Sequence, residues 1–284
     1  MPTQTKKSAV IEENLNSANQ LKEEGKLDEA LPLYEKVLRA DPDNVPALRQ
    51  MADIYEGQED WGKAASFYQR VIAARPNNAT AYLNLAKALK QQGDTNGAIS
   101  AYNKAIALKP EQSFRVYLDL AKTLGEHNQT DEAIVAYRKL VEMKPSVKLY
   151  IQLGELLQKQ GQLDEASACY SQALSAQPAD AKPEALAKLH LKLAGVQLKQ
   201  GQADASMTSY QTVLSLKPDS VPAYKGLGDA FQKKGAYHDA MGCYQKANEL
   251  KPDNSSMYRS LGDVMLRQGR DAEALDYYRK ALSA

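Results

Sequence analysis

Across 284 residues the chain holds only two cysteines, Cys169 and Cys243, three histidines, His127, His190 and His238, one tryptophan and three phenylalanines. So few thiols and imidazoles, at no shared spacing, exclude a disulfide framework and a zinc site built from Cys and His ligands. No apolar run of about eighteen residues occurs, and the opening stretch MPTQTKKSAVIEENLN has no apolar segment of the signal-peptide kind. No membrane insertion is therefore expected, and a cytoplasmic location is. An excess of charge of one sign is missing too: 36 Lys plus Arg against 35 Asp plus Glu leave a net charge of +1. General polyanion binding draws on a basic surplus that displaces counterions, so no nucleic-acid partner is expected. Against these shortages stands one surplus, sixteen tyrosines, which points to a single Tyr-containing unit used many times.

The prolines supply its period. Pro42, Pro76, Pro110, Pro145, Pro178, Pro218 and Pro252 follow one another at intervals of 34, 34, 35, 33, 40 and 34 residues. Counted from Ile11, Val45, Ala79, Phe114, Val147, Ala187, Val221 and Ser255, eight units share their slots. The eighth slot is always small (Ala18, Ala52, Ala86, Ala121, Gly154, Ala194, Gly228, Gly262). The twentieth is Ala or Ser (Ala30 through Ala274, with Ser206 in the sixth unit). The twenty-fourth is Tyr in every unit: Tyr34, Tyr68, Tyr102, Tyr137, Tyr170, Tyr210, Tyr244 and Tyr278. Five further tyrosines, Tyr82, Tyr117, Tyr150, Tyr224 and Tyr258, share the fourth slot.

Each unit carries apolar residues at helical spacing twice over, as in Tyr82, Leu85, Ala86 and Leu89, then Ala98, Tyr102, Ala105 and Ile106. Between the halves lies Gly25, Gly93, Gly161, Gly201, Gly235 or Gly269, with Asn128 in the fourth unit, a residue able to end a helix in the left-handed conformation. Glu59 breaks this pattern, and Gly57 is the expected substitute for the turn there. The closing proline cannot continue the second helix.

On these residues the chain resembles the tetratricopeptide repeat (TPR) family, matched from about Ile11 to Ala284. The domain reading is an N-terminal tail over 1–10 and an eight-unit array over 11–284, with units 11–44, 45–78, 79–112, 113–146, 147–180, 181–220, 221–254 and 255–284. The resemblance implies an all-α, right-handed superhelical solenoid of stacked helix-turn-helix hairpins whose first helices line a concave groove. The stacking also follows physically, because one hairpin cannot bury its own apolar face.

The register slips once. Six extra residues precede Ala187, and Pro183 suits the first turn of a lengthened helix with Asp180 as a nearby cap. Gln197 and Ser206 stand where other units are apolar or Ala, so 179–186 is marked as a joint of the array, read either as a hinge or as a tolerated insertion. The last unit keeps its apolar slots with no polar helix after it. Its face is expected to pack on a continuation of the polypeptide or on another copy of the chain.

If the family geometry holds, the second, fifth, sixth, ninth, twelfth and thirteenth slots of the first helices face the groove. The fifth slot is aliphatic in four consecutive units, Leu83, Leu118, Ile151 and Leu191, flanked by Arg49 on one side and Lys225 and Arg259 on the other. Lys87 and Lys122 stand at the ninth slot, with Asn84 and Arg115 nearby. These residues form the candidate binding site for a protein or peptide carrying apolar and acidic side chains. Some TPR proteins clamp a C-terminal carboxylate with cations and Asn; Arg49, Asn84 and Arg115 match those slots. Asp53 and Asp119 occupy positions that would repel a carboxylate, which argues against the clamp. The Asn ladder of O-linked N-acetylglucosamine transferases is matched only at scattered positions.

No catalytic constellation, metal site or cofactor motif is present in the sequence. Lys225-Gly226-Leu227-Gly228 lacks the third glycine and the strand of a dinucleotide fingerprint. The Asn78, Asn128 and Asn254 sequons are read as chance. The expected function is a non-catalytic interaction scaffold; the alternative is the substrate-recognition arm of a larger multidomain enzyme such as a glycosyltransferase.

Overall fold

The computed structural model describes residues 2–110, 113–178, 180–252 and 254–284, with side chains from Lys7 onward. Among the described residues there are sixteen α-helices and no strand. The chain divides into two compact units, Met1–Leu140 and Val141–Ala284.

In the first unit, α1 (Pro2–Glu23) pairs with α2 (Leu27–Ala40), α3 (Val45–Gly57) with α4 (Trp61–Ala74), and α5 (Ala79–Gln92) with α6 (Thr95–Leu108). The second helix of each hairpin packs on the next first helix, ending with α6 against α7 (Phe114–Glu126). The next helix in sequence, α8 (Thr130–Met143), runs across the division. In the second unit the hairpins are α9 (Val147–Lys159) with α10 (Leu163–Ser175), α11 (Pro183–Lys199) with α12 (Ala203–Leu216), α13 (Val221–Lys233) with α14 (Tyr237–Leu250), and α15 (Ser255–Arg267) with α16 (Asp271–Ser283). Because α1 begins at Pro2, the stretch ahead of the first repeat is helical.

Local chemistry accounts for the ends of these helices. The residue before most closing prolines is forced out of the helical region, so Asp41, Arg75, Lys217 and Lys251 take φ between −138° and −143° and stop α2, α4, α12 and α14. In α10 the proline comes one residue later, and Ala176 still sits in the right-handed region at φ −87°. Asn44, Asn78 and Asn254 cap α3, α5 and α15 by accepting the amides of Ala47, Ala81 and Ser256. Two of the three glycosylation-like asparagines are thus accounted for by helix starts.

The turn between hairpin helices needs one left-handed residue. Gly93 supplies it at φ +86° and Asn128 at φ +59°. In the second repeat the expectation was wrong: Gly57 is the last residue of α3, and Glu59 itself adopts φ +58°. The backbone geometry of the turn is kept, and the side chain bears the cost.

The core repeats with the sequence. Tyr34, Tyr68, Tyr102, Tyr137, Tyr170, Tyr210 and Tyr244 are buried, and the Tyr170 and Tyr244 rings lie against the eighth-slot glycines Gly154 and Gly228 of their own hairpins. In the insertion, Ala179 lies outside the described residues, and α11 starts at Pro183 with Lys182 in the cap position. Asp180 is therefore not the cap of α11. The two polar residues of that repeat are satisfied internally. Gln197 accepts from the buried Ser209 hydroxyl at 2.8 Å, and Ser206 donates to the Ala203 carbonyl at 2.9 Å.

Candidate functional site

The first helix of each hairpin presents three kinds of slot, and helical periodicity separates them. The eighth slot points at the repeat tyrosine. The fifth slot lies partly outside: Leu83 and Leu118 in the first unit, and Ile151 and Leu191 in the second, are all half-buried. Around them in the first unit, Asn84 and Lys87 are half-buried while Arg49, Arg115 and Lys122 are exposed. In the second unit Lys225 is half-buried and Arg259 exposed. Two of these cations are engaged within their own helix, Arg49 with Asp53 at 3.8 Å and Lys225 with Asp229 at 3.0 Å.

The ninth and twelfth slots have a role that residue type alone does not reveal. They receive the hydroxyl of the repeat tyrosine, whose ring crosses beneath the first helix. Tyr34 donates to Asn19 at 2.8 Å, Tyr170 to Gln158 at 3.1 Å, and Tyr278 to Asp263 at 2.7 Å. Tyr244 lies 2.7 Å from Asp229 and 2.9 Å from Gln232, and Tyr68 is bonded to Asp53 and Glu56. Burial and these neighbouring carboxylates push the phenols up: Tyr34 to about 12, by burial first and then the charges of Glu23 and Asp53. These tyrosines remain neutral donors that tie the second helix of their hairpin to the first.

The sixth repeat departs from this pattern, and a cavity forms there. Its ninth slot is Gly195, which offers no acceptor, and the Tyr210 ring leans instead toward α13. A Cβ built on Gly226 would come 2.1 Å from Tyr210 Cζ, whereas one built on Gly195 would be 3.9 Å from the Tyr210 hydroxyl. The resulting cavity, about 650 Å³, is lined by Tyr210, Leu198, Gly195, Asp229, Gln232 and Tyr237, with Lys199, Lys233 and Arg267 around it. Burial, then the Asp229 charge, raises the Tyr210 phenol to about 12.

None of the fifth-slot residues selected from the sequence lines this cavity. Besides Tyr210 and Tyr237 it is built from ninth-, twelfth- and thirteenth-slot residues, slots expected to face the groove. The available signal was the thirteenth slot, which reads Lys159, Lys199, Lys233, Arg267 down the last four repeats and Glu23, Gly57, Gln91, Glu126 down the first four.

The other reactive side chains are placed for packing. Burial raises the Cys243 thiol to about 11, away from the thiolate that reacts. His190 occupies the fourth slot, Tyr in five other units, with its Nδ1 buried and unpartnered. Neither cysteine is in a disulfide, and no group of three or more His, Cys, Asp or Glu among the described residues is arranged to hold a metal ion. No helix among the described residues is long and apolar enough to cross a membrane. On α16, Leu275 and Leu282 are exposed, Leu282 at 85%.

Comparison with known proteins agrees with this architecture. The family model described as tetratricopeptide repeat protein 21 C-terminal ARM domain matches residues 110–284, and one described as tetratricopeptide repeat matches 15–79 and 49–113. No curated protein matches the chain in sequence. Among solved structures, a crystal structure of MamA protein is 26% identical with a TM-score of 0.52, the match covering 61% of this chain and 91% of that one. YrrB, described as a TPR protein with an unusual peptide-binding site, is 21% identical with a TM-score of 0.50 over 66% of this chain and 93% of its own. The structure of Naa15/Naa10 bound to HypK-THB has a TM-score of 0.72 at 14% identity, over 90% of this chain and 39% of that one.

Proposed function

The chain belongs to the tetratricopeptide repeat family, and from that premise we propose that it is a non-catalytic scaffold that holds a peptide segment of a partner protein against its first helices. A TPR-type interaction scaffold is what the fold provides; the peptide and the surface are the proposal. The observation that carries it is the fifth slot. Leu83 and Leu118, and in the second unit Ile151 and Leu191, keep part of their apolar surface in solvent although the fold buries the apolar slots of the same helices nearly completely. Aliphatic side chains held half out at one register position suit an extended or helical peptide with apolar anchors. The cations beside them, Arg49, Lys87, Arg115, Lys122, Lys225 and Arg259, favour acidic groups in that peptide.

A non-catalytic role is supported by the state of the reactive groups. The repeat tyrosines and Cys243 are pushed toward their neutral forms, the opposite of an activated nucleophile.

The test is unbiased peptide display on the purified chain, followed by affinity measurement of the selected peptides. Leu83→Asp combined with Leu118→Asp is expected to weaken them by tenfold or more with the helical circular-dichroism signal retained. Unchanged affinity in that variant counts against the fifth-slot surface.

A further inference from the structure

We propose that the second unit carries a separate anion-reading ladder, the thirteenth-slot cations Lys199, Lys233 and Arg267 continued by Lys159, and that its ligand is an acidic peptide segment with carboxylates spaced three residues apart. This rests on the reading of the protein as a peptide-binding scaffold and names the chemistry of the partner at a site distinct from the fifth-slot stripe.

The first support is position. Lys159, Lys199, Lys233 and Arg267 are the last residues of α9, α11, α13 and α15, all are exposed, and three of them border the cavity beside Tyr210. A cation at a helix C-terminus complements the helix dipole, which by itself would explain such residues. The first unit argues against that explanation, because the equivalent slots hold Glu23, Gly57, Gln91 and Glu126 on helices of the same fold. The dipole permits the cations and does not require them.

The second support is that the charge of the three cations at the cavity, Lys199, Lys233 and Arg267, is uncompensated. Among the described residues neither Lys199 nor Arg267 has an ion-pair partner, and Lys233 donates to the Leu198 carbonyl at 2.7 Å, a neutral acceptor. The carboxylates close by are already taken. Asp229, the one acid lining the cavity, accepts from Tyr244 and pairs with Lys225, and Glu155 pairs with Lys192 at 2.7 Å. Three cations thus border a space of about 650 Å³ at which Asp229, the one acid among the described lining residues, is already paired with Lys225.

The third support is shape. Gly195 leaves a side chain out of the cavity lining, and Gly226 gives the Tyr210 ring its seat, so a peptide backbone can approach closely over Leu198, Tyr210 and Tyr237. Helices that pack together lie about 8–10 Å apart, and α11 touches α13. A chain in the polyproline-II conformation has three residues per turn and advances about 3.1 Å per residue, so every third side chain faces the same way and meets successive rungs. Apolar residues between the acids fit the Leu198 and aromatic surface. A polynucleotide has no such alternation, and the chain's net charge of +1 gives it no general attraction.

The experiment uses the full chain and three fluorescein-labelled peptides of equal length, read by fluorescence anisotropy. One carries Glu at every third position with Leu and Ser between, one the same residues with the Glu contiguous, and one Lys in place of Glu. The first is expected to bind most tightly and to weaken as salt is raised. Combined Lys199→Glu, Lys233→Glu and Arg267→Glu should reduce its affinity about tenfold or more. Lys199→Gln with Arg267→Gln, which spares the Lys233 bond to Leu198, should reduce it several-fold with unchanged circular dichroism.

Equal binding of the contiguous or Lys peptide, indifference to both variants, or displacement by a single-stranded oligonucleotide at lower concentration than by unlabelled peptide overturns the ladder. If the acidic peptide fails while displayed peptides still depend on Leu83 and Leu118, the ladder falls and the scaffold reading stands. If no peptide of any composition is captured, both fall.

Discussion

Gly226 and Gly228 stand two residues apart on α13 and answer to different tyrosines. A Cβ on Gly228 would lie 2.5 Å from Tyr244 Cε1, yet Ala18, Ala52, Ala86, Ala121 and Ala194 fill the same eighth slot in repeats whose tyrosines are also buried. The Tyr244 ring therefore has an alternative seat, and Gly228→Ala is expected to change stability little. Overpacking would be relieved, and the roughly 1 kcal/mol of helix propensity gained offsets what remains. A Cβ on Gly226 would come 2.1 Å from Tyr210 Cζ, and Gly195 and Leu198, at the ninth and twelfth slots of α11, offer no side-chain acceptor to take the hydroxyl back. Overpacking of a buried ring costs about 1–3 kcal/mol, so Gly226→Ala should be net destabilising. Urea denaturation of the two variants side by side checks the order.

His190 is the other residue whose environment decides its chemistry. Burial lowers its pKa below the ordinary 6.5, so the folded chain binds this proton less readily than the unfolded one. Stability is then undiminished above pH 6.5 and falls as the pH drops through the interval between the unfolded and folded values. His190→Tyr restores the residue found in this slot in five other units and removes the unpartnered Nδ1. It should flatten the acid limb of a melting temperature against pH profile below 6.5; a limb of unchanged slope assigns the acid sensitivity to other groups.

At the scale of the element, what matters is how a hairpin is closed. Seven of the eight turns meet the left-handed requirement with Gly or Asn, and Glu59 meets it at the cost of about 1–2 kcal/mol that a Cβ carries in that region. Glycine pays back part of that gain in unfolded-state entropy. Glu59→Gly is therefore expected to stabilise the chain by about 0.5–1 kcal/mol, and Gly161→Ala, the reverse change at φ +79°, to destabilise it by a similar amount. Thermal denaturation of both checks the sign. The same element-level view explains α11. Its extension to Pro183 lengthens the helix without breaking the hairpin, because Ser206, Ser209 and Gln197 bond to partners within the α11–α12 pair.

For the whole molecule, the relevant fact is that repeats bury their surfaces against neighbours and not around one centre. Leu157, fully buried on α9, should cost about 2–5 kcal/mol when cut to Ala. Hydrogen exchange should show the lost protection concentrated in α9 to α12, with α15 and α16 changed least. A uniform loss through the second unit would indicate a single cooperative block instead.

Much of this was legible in the chain itself. Period, hairpin form, the Tyr core and the proline stops are local or nearest-neighbour properties, written once per unit and reinforced eight times. Fifth-slot aliphatics were visible for the same reason, as a departure from amphipathic spacing. What could not be read was anything set by the meeting of two side chains from different helices. The hydroxyl of Tyr34 on Asn19 and Tyr210 leaning into the space left by Gly226 each depend on which neighbour yields. Slot occupancy was determined by sequence because helical periodicity places residues without reference to their partners. The cavity and its three uncompensated cations were decided by tertiary structure, because emptiness and unpaired charge are properties of what surrounds a residue.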